Sequence, residues 1–166
     1  MANIYENKYM ILGTIGAFIV LYGTTQWPPQ PYYVAGAVAL LATAIHYRLF
    51  YYIALELILI AGHAAILLGS GPYTQIALPV LLCFQLLVFY LMLGKEHNVF
   101  LFLGISGIAL LSVGFAYNNQ WVFFTGSAFI AIYSYYSGYR GRHPAYIWAI
   151  LNTIFALLSI CKIFFI

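Results

Sequence analysis

The chain has 166 residues, of which 65% are hydrophobic and 5% charged, with a mean hydropathy of +0.96 and a formal charge of +3. A soluble domain covers its surface with roughly a quarter charged residues, so this composition excludes one and leaves no length for an extramembrane catalytic domain. Six Lys and Arg against three acids are too sparse to follow a phosphate backbone, which excludes nucleic acid and leaves the lipid bilayer as the main partner.

A helical span consumes about 20 residues, so the chain is expected to be an all-α polytopic membrane protein and a single membrane domain over residues 1–166. Residues 1–8 are polar and mixed in charge, and the apolar run after them lacks the cleavage pattern of a signal peptide. The first span is therefore expected to stay in the mature protein. Apolar runs punctuated by Gly, Pro, Asn and charge predict spans over 9–23, 33–47, 49–69, 73–93, 99–117, 121–139 and 144–166.

An alternative fuses the short second span with the third across His46-Tyr47-Arg48, giving six. Charge separates the two readings, because cytoplasmic loops retain Lys and Arg. With seven spans Lys8, Arg48, Lys95, Arg140 and Arg142 share one side, and only Lys162 nears the other, where its stem can snorkel. Six spans scatter these residues over both faces or bury Arg48 in lipid, which is costly. The opposite loops, 24–32, 70–72 and 118–120, carry no formal charge, and Trp27, Tyr32, Tyr33, Tyr73, Tyr117 and Trp121 flank them as an aromatic belt would. The expectation is seven spans with a cytoplasmic N-terminus, and the short loops suit a bacterial inner membrane.

An internal repeat runs through the pattern. Gly13, Gly16 and Gly23 recur 91 residues later as Gly104, Gly107 and Gly114, in LGTIGAFIVLYG and LGISGIALLSVG. Gly36 and Gly126 match at an offset of 90, each between small neighbours, and each half closes with a basic loop before a long third helix. Glycine is frequent in membrane helices for close packing alone, but three shared spacings with matched flanks favour duplication of a three-helix unit. An odd-numbered unit inserted twice needs one helix to return the chain to its starting side. The expected architecture is 3+1+3 (repeat 1 about 9–69, linker helix about 73–93, repeat 2 about 99–166), with parallel repeats and a site between them near the midplane.

With this duplication, and with the stretch SYYSGYRGRHPAYIWAILNTIFALLSI (134–160), where a Ser-rich helix end, a basic loop and a W-x-x-x-N helix follow one another, the chain resembles the group containing SWEET sugar transporters, PnuC-type vitamin transporters and small YgjV-like membrane proteins. It lacks the Pro-Gln pair of SWEET helices and the dense Trp and Asn pattern of PnuC. The resemblance therefore implies architecture, not a substrate.

Glu56 is the only acid inside a predicted span, where an ionisable group is a functional hypothesis by default. His63 lies two turns along the same face and Tyr52 one turn before, a stripe able to relay protons or bind a polar solute. The bland reading of Glu56 is a neutral carboxyl bonded to a neighbouring helix, and of His63 a satisfied interior group. At the offset of 96 needed after the longer basic loop, Asn152 corresponds to Glu56, and Trp148 stands one turn before it. The resemblance implies that aromatic and Asn side chains on these helices line a central site, hence a pocket of Glu56, Trp148 and Asn152. Otherwise Trp148 faces lipid and Asn152 joins two helices.

Gln85, mid-span in the fourth helix, bonds either another helix or a solute, and Pro79 frees a carbonyl there. His46, His97 and His143 fall at helix ends without metal or haem spacing, and Cys83 and Cys161 read as small packing residues. No cofactor or metal is expected, and the thirteen Phe and sixteen Tyr are expected to be mostly interfacial and lipid-facing.

The leading functional expectation is a carrier or facilitator of a small polar solute, substrate-binding through Glu56, Trp148, Asn152, Gln85, His63 and Tyr52. A membrane-embedded lipid-acting enzyme of the lysoplasmalogenase kind needs paired carboxylates or a metal constellation, and one buried acid is present. A non-catalytic subunit of a membrane complex is a third class, and a homo-oligomer is compatible with each.

Overall fold

The computed structural model describes residues 2–69, 71–93 and 99–165. Lys95 and His97 lie outside the described residues. Within them run α1 (Ala2–Gly23), α2 (Gln30–His46), α3 (Phe50–Leu67), α4 (Pro72–Leu93), α5 (Val99–Tyr117), α6 (Gln120–Tyr139), a 3₁₀ turn (His143–Ala145) and α7 (Tyr146–Phe165), with no β-strand among the described residues.

The α2–α3 junction is broken, not continuous. Arg48 adopts φ +53°, and the Leu49 amide reaches back to the Ala44 carbonyl at 2.9 Å. This is the left-handed helix stop in which a residue just past the end turns the chain and satisfies orphan carbonyls. Gly141 at φ +93° ends α6 the same way, with Arg142 bonding back to Ser137. The fused-helix alternative therefore fails at Arg48. α1 is longer than its apolar run, since the helix begins at Ala2, where charge and polarity placed residues 1–8 ahead of the span.

Three stretches are long and apolar enough to cross a bilayer: Phe50–Leu67, Val99–Tyr117 and His143–Phe165. The apolar parts of α1 and α4, Lys8–Gly23 and Gln75–Val88, are shorter. The hydropathy of α2 and α6 is lowered by residues turned inward, among them the buried Thr43, Ser127, Ser134 and Ser137. Large apolar side chains cover the exterior, including Phe18, Phe50, Phe84, Phe102 and Leu157, a surface suited to lipid. Both features fit an integral membrane protein.

Six helices close a circle in the order α1, α2, α3, α5, α6, α7, and α4 packs outside it against α3 and α5. Close approach requires glycine at two crossings. A Cβ on Gly16 would stand 2.8 Å from the Gly36 carbonyl oxygen, and one on Gly36 2.6 Å from that of Gly16. At the α5–α6 crossing, a Cβ on Gly107 would stand 2.9 Å from the Gly126 oxygen and one on Gly126 3.0 Å from that of Gly107. Gly13 abuts Thr43 and Ile147, whereas Gly104 abuts Tyr133 and Tyr51. The α1 glycine thus packs on α7, and its counterpart 91 residues later packs on α3.

Several aromatics expected at the interface are in the core. Tyr33, Tyr51 and Tyr133 are buried, and the Tyr51 hydroxyl donates to the Gly104 carbonyl at 2.8 Å. Trp27, Tyr73, Tyr117 and Trp121 are exposed, as a belt requires. Of the two cysteines, Cys83 is a buried packing residue, while Cys161 is exposed on the outer side of α7.

Candidate functional site

Helical spacing of four, three and four puts Tyr52, Glu56, Leu59 and His63 on one face of α3, and that face points into the circle. Trp148, Asn152 and Phe155 answer from α7. Between them lies a cavity of about 40 Å³ open to the centre of a water-sized sphere, whose wall includes Glu56, His63, Trp148, Asn152, Leu55 and Leu151. The space is small but large enough to admit water-sized molecules.

Glu56 and Trp148, 2% and 0% exposed, are joined by a 2.7 Å hydrogen bond from the indole Nε1 to Oε1. Asn152 donates its Nδ2 to the Trp148 carbonyl at 2.9 Å within α7. Tyr52 does not line the cavity; it packs behind Trp148, ring centroids 4.4 Å apart. Its hydroxyl lies near Ser134 and Ser137, and none of the three oxygens has a well-formed partner among the described residues. Tyr51 and Tyr133, 4.1 Å apart, complete an aromatic floor with Tyr52 and Trp148.

Four pairs of wall residues obey two fixed offsets. Val20 and Leu111 are 91 residues apart, and Leu55 and Leu151, Glu56 and Asn152, and Leu59 and Phe155 are each 96 apart. Tyr52 and Trp148, also 96 apart, are in contact with their ring planes tilted by 33°.

At the other end of the cavity, Tyr33, Phe115 and Phe155 form a roof, with Tyr33–Phe115 centroids at 5.2 Å and Tyr33–Phe155 at 6.3 Å. The same three side chains line a second, wider cavity of about 500 Å³ bounded by Thr24, Gln26, Gln30, Asn118, Gln120 and Lys162. The α1–α2 and α5–α6 loops therefore lie at the same end of the circle. His63 is held under the roof, 4.4 Å from Phe115 and 5.0 Å from Tyr33, and its Nδ1 has no partner among the described residues.

Of the residues singled out in the sequence, Glu56, His63, Trp148 and Asn152 come together and Tyr52 backs them. Gln85 does not join them: it is exposed on α4, outside the circle. Tyr33, Phe115 and Phe155 were hidden among the many aromatics. Position 33 pairs with Phe123 at the offset of 90, a signal that marks an aromatic at equivalent places in both halves. Among the described residues no three His, Cys, Asp or Glu side chains group as metal ligands would.

Comparison with protein-family models, curated proteins and solved structures finds no match for this chain.

Proposed function

We propose that this chain is a carrier or facilitator of a small polar solute, spanning the membrane seven times as two parallel three-helix repeats joined by α4. The N-terminus is cytoplasmic, the setting a bacterial inner membrane, and the Lys162 vestibule opens outward. One observation carries the reading: residues related by the offsets of 91 and 96 line one cavity together. A pseudo-two-fold axis through that cavity accounts for the pairing, and carriers built from parallel repeats place their solute there.

The geometry also suits alternating access. The site is bounded by an aromatic roof towards the vestibule and a Tyr and Trp floor towards the basic loops, so rocking of one repeat against the other would open each barrier in turn. In the closed arrangement the central cavity is small beside the vestibule, about 40 against 500 Å³, as an occluded state requires.

The test is uptake into proteoliposomes of a panel of sugars, nucleosides and amine vitamins, native chain against Glu56→Gln. Saturable uptake of a panel member, abolished in the variant, supports the carrier. Lipid turnover without uptake of any member would replace it with a lipid-acting enzyme.

A further inference from the structure

Glu56 is a buried acid with no counter-charge among the described residues. Among the described residues its hydrogen-bond partner is the neutral Trp148 indole, and it forms no ion pair. His63 does not serve, because its ring is packed against Tyr33 and Phe115 and its Nδ1 is unpartnered. A carboxylate at this depth needs compensation; no described residue supplies it, and a proton or a bound cation can.

The rest of the wall indicates which cation. An alkali or alkaline-earth ion needs about six oxygens, and the only lining residues with side-chain oxygens are Glu56, Asn152 and Tyr33. Four aromatic side chains, Tyr33, Phe115, Trp148 and Phe155, line the same space. Aromatic faces around a carboxylate are the environment that recognises ammonium groups.

Resting on the carrier reading, we propose that the central cavity binds a small organic ammonium ion in exchange for the proton of Glu56. The ion enters, the carboxyl O–H bond breaks, the proton leaves to solvent, and the carboxylate left behind faces the ammonium while still accepting from Trp148. Of the other cavity-lining residues, only Tyr33 on α2 and His63 on α3 are titratable; α1, α5 and α7 add none. Tyr52 stands one turn from Glu56 behind Trp148, and Arg142 influences Tyr52 from the basic-loop end. Exchange is therefore assigned to Glu56.

The experiment uses the purified full chain, with choline as probe and 3,3-dimethylbutan-1-ol as its neutral isostere. Proton release is followed with a pH dye in weak buffer. Carbodiimide labelling of Glu56 is followed by mass spectrometry, with Glu6 and Glu96 as internal references. The expected result is about one proton released per choline bound, and labelling of Glu56 slowed about tenfold by choline at a concentration where the isostere has no effect, a charge preference of the size expected for a desolvated cation–aromatic site. Glu56→Gln should release no proton; if that variant does not fold, protection on the native chain decides.

Equal protection by the isostere, binding without proton release, or equal protection by sodium would overturn the inference. Uptake of glucose or lactate by proteoliposomes that ignore choline would also overturn it and leave the carrier reading standing. Choline protection and proton release without flux of any solute would keep the ammonium site and end the carrier reading.

Discussion

Trp148 donates to Glu56 across 2.7 Å, from the second half of the chain to the first, with both side chains buried. Removing the donor leaves a buried oxygen unsatisfied, which costs about 1–3 kcal/mol. Trp148→Phe should therefore lower the melting temperature in detergent by roughly 2–12 °C at the usual conversion for a chain of this size. Glu56→Gln keeps an oxygen that can accept from Nε1, so its loss should stay below about 1 kcal/mol. Equal destabilisation by the two variants would mean that the hydrogen bond is not what holds the pair.

The glycine crossings give a second prediction. Gly36→Ala and Gly126→Ala each drive a methyl into backbone, within 2.6 Å of the Gly16 oxygen in one case and 2.7 Å of the Leu111 nitrogen in the other. Each should destabilise by about 1–3 kcal/mol, the usual range for overpacking. Gly62→Ala is the control, since its Cβ would meet Pro79 at an ordinary 3.5 Å. Because alanine favours a helix over glycine by about 0.5–1 kcal/mol, that variant should melt no lower than the native chain. Thermal unfolding of the three variants side by side checks the order.

Topology can be read by cysteine labelling after Cys83→Ala and Cys161→Ala. Thr25 and Tyr139 are exposed, at the vestibule end and the basic-loop end respectively. In intact cells a membrane-impermeant maleimide should label Thr25→Cys directly and Tyr139→Cys only after permeabilisation. Labelling of both without permeabilisation would remove the seven-span reading.

How far the sequence could see follows from which signals it carries. Glu56 and Asn152, 96 residues apart, line one cavity, as the proposed duplication requires, and spacing is what a sequence records directly. The break at Arg48 was legible only through charge, since nothing in His46-Tyr47-Arg48 resembles the usual Gly stop. Gln85 was misplaced for a physical reason: hydropathy locates a polar residue at mid-span but does not say which way the helix is rotated. A helix apolar all round, as α4 nearly is, gives no stripe from which to infer rotation. Tyr33, Tyr51 and Tyr133 went to the core because a buried Tyr needs one partner for its hydroxyl; Tyr51 finds a backbone carbonyl, an acceptor that no sequence pattern displays.

The aromatic roof gives the last prediction. Tyr33, Phe115 and Phe155 line both the central cavity and the vestibule, so one layer of rings separates them. Phe115 also touches His63 and Phe123, at 4.4 and 4.7 Å, and is the layer's most connected member. Phe115→Ala should cost about 3–5 kcal/mol of stability, while Phe115→Leu keeps most of the volume and lowers that cost. In a cysteine-free background carrying Asn152→Cys, a trimethylammonium methanethiosulfonate applied from the vestibule side should react slowly with the native roof. The reaction should run at least about tenfold faster with Phe115→Ala, the ratio expected if removing the ring lowers the passage barrier by about 1.4 kcal/mol. Phe115→Leu should fall between them. An unchanged rate in both variants would mean that access to Asn152 does not pass through the roof, and the vestibule would then lead nowhere.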